Sequence, residues 1–184
     1  MQDISISAQI TPNPNTLKFV VNKILLETGS VDFSNPDKAV GSPVVEALYK
    51  IEGITGVLVG TNFVSISKSF SVDWATLAEP ITDTLQKILG GEGPYLNPEL
   101  MQKGQDHSSS EIEQRIKEIL DTEIRPAVAM DGGDIVFYGY EDGVVSLHLQ
   151  GACSSCPSST LTLKLGIENR LREELPEIRE VVQI

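Results

Sequence analysis

The sequence contains few of the residue types that carry most protein chemistry. Its 184 residues include two cysteines, two histidines and one tryptophan. Two cysteines are too few for the multi-disulfide framework of small secreted proteins. No apolar run approaches the roughly 18–20 residues of a transmembrane helix, and the first residues show no basic region followed by an apolar stretch. We therefore expect a cytoplasmic protein that makes no membrane contact.

Basic residues are also scarce. The chain has 14 Lys and Arg against 26 Asp and Glu, a net charge of −12. Divided at residue 100, the first part is 6 − 11 = −5 and the second is 8 − 15 = −7, so neither part is a basic arm. Binding to a phosphate backbone or to an anionic membrane needs clustered Lys and Arg. The composition therefore argues against a nucleic-acid partner. Neither a glycine-rich phosphate loop nor a Ser–His pairing is present, so we expect no enzyme.

Apolar periodicity stops once along the chain, in a stretch rich in Gly, Pro, Ser, Asn and Gln. This stretch predicts a first domain over residues 1–90, a flexible linker over 91–110 and a second domain over 111–184. At roughly 150 residues per domain as a soft prior, the length fits two small domains as well as one large one.

Hydrophobic patterning predicts strands and helices in both halves, an α+β fold in which each domain is a small sheet packed by helices. The first half shows strands before and after the turn at 11–15, a helix after Pro43, a hairpin around 60–62 and a helix between Asp73 and Gly90. Pro80 predicts that this helix starts near it or bends there. Phe70 and Trp74 are expected to lie in the core of the first domain.

The second half opens with Ser110 and Glu113 at the spacing of a capping box. The pattern then predicts five further elements: an apolar helical stripe over 112–124, a turn at 131–134, a hairpin over 135–149, a helix after 158–159 and a last strand over 179–184. A helical crossover would join that strand to the sheet.

The two cysteines lie together in Cys153-Ser154-Ser155-Cys156, between a strand and the start of a helix. This spacing lets both sulfurs face one metal centre, and the N–H groups and dipole of the helix favour thiolates. Four interpretations are compatible with this spacing: metal or cluster binding, thiol–disulfide exchange, a structural zinc site, and a pair without a chemical role. A four-ligand metal site would need further side chains or a second copy of the chain.

Other candidate ligands are weak. His148 alternates with the apolar residues of its strand, so it is expected on the polar face, and His107 lies in the predicted linker. Asp131 and Asp134 fall far short of a calcium loop and are interpreted as turn residues.

Three runs in the second half resemble the NifU C-terminal domain family: Ile124-Arg125-Pro126, Asp131-Gly132-Gly133-Asp134-Ile135, and Val145–Gln150 followed by Gly151-Ala152-Cys153-Ser154-Ser155-Cys156-Pro157-Ser158-Ser159. The first half is similar to the Nfu N-terminal domain, with Thr11-Pro12-Asn13-Pro14-Asn15, Lys18-Phe19 and Trp74 as its markers. Together the two resemblances cover most of the chain apart from the linker.

The resemblance implies an iron–sulfur cluster scaffold or carrier that binds its cluster through Cys153 and Cys156. A 4Fe–4S cluster is expected in preference to 2Fe–2S, bridging two chains as a homodimer. Its expected partners are an upstream assembly scaffold and apo-proteins that receive the cluster. The separate assembly-scaffold and ferredoxin-type domains of full-length NifU are absent from this sequence, which favours a carrier.

The alternative is a thiol–disulfide oxidoreductase that uses the same pair of cysteines. A thioredoxin-like site would show a Trp before the first Cys and a Pro between the two cysteines, and this sequence has neither.

Overall fold

The computed structural model describes residues 3–101, 110–154 and 157–184, with the backbone alone at 101 and 157–159. The chain divides into two compact units, residues 1–105 and 106–184. Each unit contains one sheet packed by helices, which confirms the predicted α+β fold.

The first unit is built on a five-stranded antiparallel sheet with the strand order β1-β2-β5-β4-β3. The strands are β1 Ile6–Ile10, β2 Thr16–Val21, β3 Val31–Phe33, β4 Ile54–Val59 and β5 Phe63–Lys68. Sequence patterning predicted every strand except β3, whose three residues are too few to show a period.

The helices of the first unit cover one face of this sheet. They are a 3-10 turn at Pro36–Ala39, α1 Pro43–Tyr49, α2 Trp74–Leu89 and α3 Pro98–Met101. Helix α2 begins directly after Asp73 and continues through Pro80, so the predicted start near Pro80 is wrong. Its buried residues Leu77, Ile81 and Leu85 lie on both sides of the proline. Burial of that apolar stripe outweighs the one backbone hydrogen bond that proline removes.

Two expectations for the first unit are corrected by the packing. Leu96 is fully buried against the core, and Asn97 N–H donates to Ser42 Oγ at 3.0 Å, so the first part of the predicted linker belongs to this unit. Phe70 is almost fully exposed, because the short Ser69–Ser71 turn carries it beyond the end of the sheet. Trp74 was expected in the core but is only partly buried against it, and its indole N–H donates to the Pro14 carbonyl at 3.0 Å.

The second unit is built on a three-stranded sheet with the order β6-β7-β8. Strands β6 (Gly133–Glu141) and β7 (Val144–Gly151) form the predicted hairpin. Asp142 and Gly143 join them, both at positive φ, as a two-residue hairpin turn requires. Strand β8 (Glu180–Gln183) is parallel to β7, so the predicted helical crossover is confirmed.

The helices of the second unit are α4 Glu111–Ile119, a π turn at Leu120–Ile124, α5 Arg125–Met130 and α6 Pro157–Glu174. The predicted capping box is present, with Ser110 Oγ accepting from Glu113 N–H at 3.3 Å and Glu113 Oε2 accepting from Ser110 N–H at 2.8 Å. In the part of the chain that the structure describes, no helix is both long and apolar enough to cross a bilayer.

The π turn was not predicted, and Pro126 explains it. In a regular α-helix the ring of Pro126 would clash with the carbonyl four residues earlier. The backbone instead widens before the proline, and Arg125 N–H donates to the Leu120 carbonyl, five residues back. The helix thus continues into α5 without a break in the apolar stripe.

Candidate functional site

Cys153 lies two residues beyond the end of β7, in a turn fixed by backbone hydrogen bonds. Gly151 ends the strand at φ 64°, a left-handed conformation that suits glycine. The N–H of Ala152 then donates to the Gly132 carbonyl at 3.2 Å, and that of Ser154 to the Gly151 carbonyl at 3.2 Å. As a result the Cys153 side chain points into the unit and is only 5% exposed.

The sulfur of Cys153 lies against the backbone at the start of β6. A Cβ atom built on Gly133 would be 2.5 Å from Cys153 Sγ and 2.9 Å from the Gln150 carbonyl oxygen. Real Cβ atoms do not approach other heavy atoms this closely. Gly133 is therefore the residue that leaves room for the thiol.

The remainder of the motif leads into α6. The helix runs from Pro157 to Glu174, so its N-terminus follows Cys153 within a few residues. Ser155 and Cys156 lie outside the described residues, and the prediction that both sulfurs face one centre stays a prediction. Lys164, the nearest cation in the sequence after the motif, is bound to Glu180 of β8 at 3.4 Å.

The first two residues of β6 are fixed from the side of α5. Gly133 and Asp134 already belong to the strand, so the predicted turn at 131–134 is confined to its first half. The Asp134 side chain is buried, and its Oδ1 lies 3.3 Å from Arg125 Nε. This carboxylate therefore forms an ion pair with Arg125, and Asp134 lies in the strand and not in the turn that the sequence predicted for it.

His148 does not join this site. His148 is exposed on β7, and its Nδ1 lies 2.8 Å from the Ile184 carbonyl oxygen, on the polar face as expected. His107 lies outside the described residues. Within the described ranges, no three His, Cys, Asp or Glu side chains converge on a point where they could hold a metal ion.

An ion-pair network joins the π turn to the far end of α6. Arg170 is held by Glu123, at 2.6 and 2.8 Å, and by Glu174 at 3.0 Å. Hydrogen bonds from Arg170 lower the pKa of both Glu123 and Glu174, and Arg115 adds to the effect on Glu174. Arginines therefore partly neutralise the acidic end of α6.

Comparison with known proteins assigns both units. Residues 116–182 match the model of the NifU-like domain, and residues 6–91 match that of the scaffold protein Nfu/NifU N terminal. The human mitochondrial NFU1 iron-sulfur cluster scaffold homolog is 42% identical over 181 residues, covering 97% of this chain and 71% of its own length. The chain belongs to the Nfu family of NifU-like iron–sulfur cluster scaffold proteins.

Two further comparisons give a similar sequence and a similar structure. NifU-like protein 4, mitochondrial, of Arabidopsis thaliana is 41% identical over 184 residues, covering 97% of this chain but 65% of its own length. The solution structure of a Saccharomyces cerevisiae NifU-like protein superposes on 52% of this chain and 86% of its own, with 26% identity and a TM-score of 0.47.

The cytoplasmic location expected from the sequence is contradicted by the human and Arabidopsis thaliana relatives, which are mitochondrial proteins. The expectation failed because the composition of a folded chain does not determine its compartment. A cytosolic and an organellar protein both fold in water, and a targeting segment decides between the two locations.

Proposed function

We propose that this chain carries an iron–sulfur cluster, held by Cys153 and Cys156 from each of two copies, and delivers it to apo-proteins. It would receive the cluster from an upstream assembly scaffold and act as a carrier, not as an enzyme. The observation that best supports the proposal is the room left by Gly133 for the Cys153 sulfur, directly before the N-terminus of α6. Family membership supplies the class of cargo.

A shared cluster follows from the count of thiols. The usual 2Fe–2S and 4Fe–4S clusters take four cysteine thiolates, and this chain has two cysteines. Two copies supply all four without any other ligand. We therefore propose a homodimer when the cluster is bound, with 4Fe–4S preferred over 2Fe–2S.

Ligand exchange suits this site to transfer. An incoming thiolate of a recipient can replace one cysteine of the carrier at a time. Each iron–sulfur bond that breaks is then replaced by a new one. Neither nucleotide nor redox chemistry is needed for such a step.

Cluster loading is expected to change the oligomeric state. After anaerobic reconstitution, the holo-protein should be a dimer with one cluster per two chains, and the apo-protein should be mostly monomeric. The measurement is iron and acid-labile sulfide per chain, taken together with the mass in solution. A colourless protein that holds zinc, or a full cluster on a strictly monomeric chain, would contradict the proposal.

Transfer is expected to be direct. Holo-protein mixed with a cluster-free recipient enzyme should restore the activity of that enzyme without added nucleotide. In a parallel reaction a strong iron chelator replaces the recipient, and recovery of activity should be faster than release to the chelator. A cluster that survives many reduction cycles and never activates a recipient would instead identify an electron carrier.

A further inference from the structure

We propose that Arg125 is a positioning residue for the cluster site, because it fixes the β6 backbone that supports the Cys153 sulfur. The inference rests on the proposed function, since it concerns the same site. Arg125 contacts three groups that lie close together. Its Nε is 3.3 Å from Asp134 Oδ1 and 3.1 Å from the Ile135 carbonyl oxygen, and its Nη1 is 3.0 Å from Asp121 Oδ1.

The segment fixed by Arg125 is the one that meets the cysteine loop. Asp134 directly follows Gly133, which pairs with Gly151 in the β6–β7 register, and Gly132 accepts the hydrogen bond of Ala152. Neighbouring side chains alternate across a strand. Arg125 therefore holds the carboxylate on one face of β6, while Cys153 lies against the opposite face at Gly133.

Burial strengthens the ion pair between Arg125 and Asp134, so that the pair can fix the β6 backbone. The Asp134 side chain is 8% exposed and that of Arg125 is 32% exposed, so the pair is only partly screened by water. Removing one partner of a buried ion pair is costly, because the other charge loses its counter-charge in a poorly solvated place. Without the guanidinium, the buried carboxylate one residue from Gly133 would draw water or shift the strand, and the net negative charge near the proposed cluster would rise.

The π turn brings Arg125 to this position. Residues 120–124 carry one wider turn of helix, which ends at Arg125. A wider turn rotates every following residue around the helix axis relative to a regular α-helix. Arg125, the first residue after this turn, contacts β6 at Asp134 and Ile135, and Asp121 within the turn holds its guanidinium.

The test compares Arg125→Gln with Arg170→Gln in the full-length holo-protein. Arg170 is a matched control because it is similarly part-buried and also binds carboxylates, one of them in the π turn. It lies about 20 Å along α6 from the first residue of that helix. Arg125→Gln should release its cluster to a chelator about 10–100-fold faster than the unmodified protein, the usual effect of losing an outer-shell partner. Arg170→Gln should release it at the original rate.

Two further readouts separate positioning from general stability. The electron paramagnetic resonance spectrum of the reduced cluster should change in Arg125→Gln but not in Arg170→Gln, whatever the melting temperatures of the two. In the apo-protein, iodoacetamide should alkylate Cys153 about tenfold faster in Arg125→Gln, because local opening exposes the thiol. Peptide mass spectrometry measures the alkylation even if the protein takes up no cluster. A failure of the proposed function can therefore be distinguished from a failure of this inference.

Asp134→Asn provides the second variant, in case Arg125→Gln fails to fold. It removes the buried charge and leaves the Arg125 contacts to Asp121 and Ile135. The cluster should therefore be released faster than from the unmodified protein, but more slowly than from Arg125→Gln. Arg125→Lys should give an intermediate rate, because one ammonium group cannot serve all three acceptors. Original release and alkylation rates in both Arg125→Gln and Asp134→Asn would overturn the inference. Equal acceleration in Arg170→Gln would overturn it as well.

Discussion

Replacing Cys153 with alanine is expected to abolish cluster binding while both units stay folded. Two copies of the variant offer only the two Cys156 thiolates, half of the shell that a cluster requires. Cys153 is buried in the core of the second unit, so its sulfur contributes to the packing of that core. Loss of the sulfur should therefore cost about 1 kcal/mol in the free energy of unfolding. Iron and sulfide analysis measures the first effect, and chemical denaturation the second.

Ser154→Ala is the matched control for this experiment. Ser154 directly follows Cys153, is exposed, and donates from Oγ to the Gly151 carbonyl at 2.9 Å. The variant should keep the iron content of the unmodified protein, whereas Cys156→Ala should lose it as Cys153→Ala does. A full complement of iron in Cys153→Ala would show that the ligands lie elsewhere in the chain.

The elements that the sequence predicted correctly have signals close together in the chain. The β6–β7 hairpin follows from two alternating apolar runs around Asp142-Gly143. The start of α4 follows from Ser110 and Glu113, whose side chains satisfy the first backbone N–H groups. Cys153 was placed correctly just after a strand, because the residues before it carry a strong strand pattern.

The elements that it could not predict depend on contacts between distant residues. Gly133 lies in a run that resembles a turn, and a turn is a sufficient reason for glycine in any sequence. Its actual constraint is the sulfur of Cys153, twenty residues later. The role of Arg125 is hidden for the same reason, since nothing in the local pattern shows that Asp134 is buried.

In the first unit, packing also differs from what the composition predicts. The polar and glycine-rich stretch after Gly90 predicts a linker, yet Tyr95 and Leu96 within it pack on the core. Two apolar residues among many polar ones are too few to show a period, although their burial ties the segment to α1. Phe70 is the opposite case, an aromatic residue that the short turn around it leaves in solvent.

The glycine at the start of β6 gives the sharpest test of the site geometry, because one added methyl group meets the sulfur directly. In Gly133→Ala the Cβ would lie 2.5 Å from Cys153 Sγ and 2.9 Å from the Gln150 carbonyl oxygen. Backbone cannot move aside as a flexible side chain can, so the strand pairing or the cysteine loop must shift. We expect a loss of about 1–3 kcal/mol in the free energy of unfolding, the usual cost of overpacking.

Cluster binding should suffer more than folding in Gly133→Ala, because displacing Cys153 by about 1 Å disrupts a ligand geometry that a fold tolerates. Cluster occupancy after reconstitution should fall at least about tenfold under conditions where circular dichroism still shows a folded protein. Gly139→Ala is the control, since Gly139 lies in the same strand and a Cβ there meets nothing within 4 Å. It should bind the cluster as the unmodified protein does. Full occupancy in Gly133→Ala would mean that the Cys153 sulfur leaves this position when it binds iron, and that the room beside Gly133 does not set the ligand geometry.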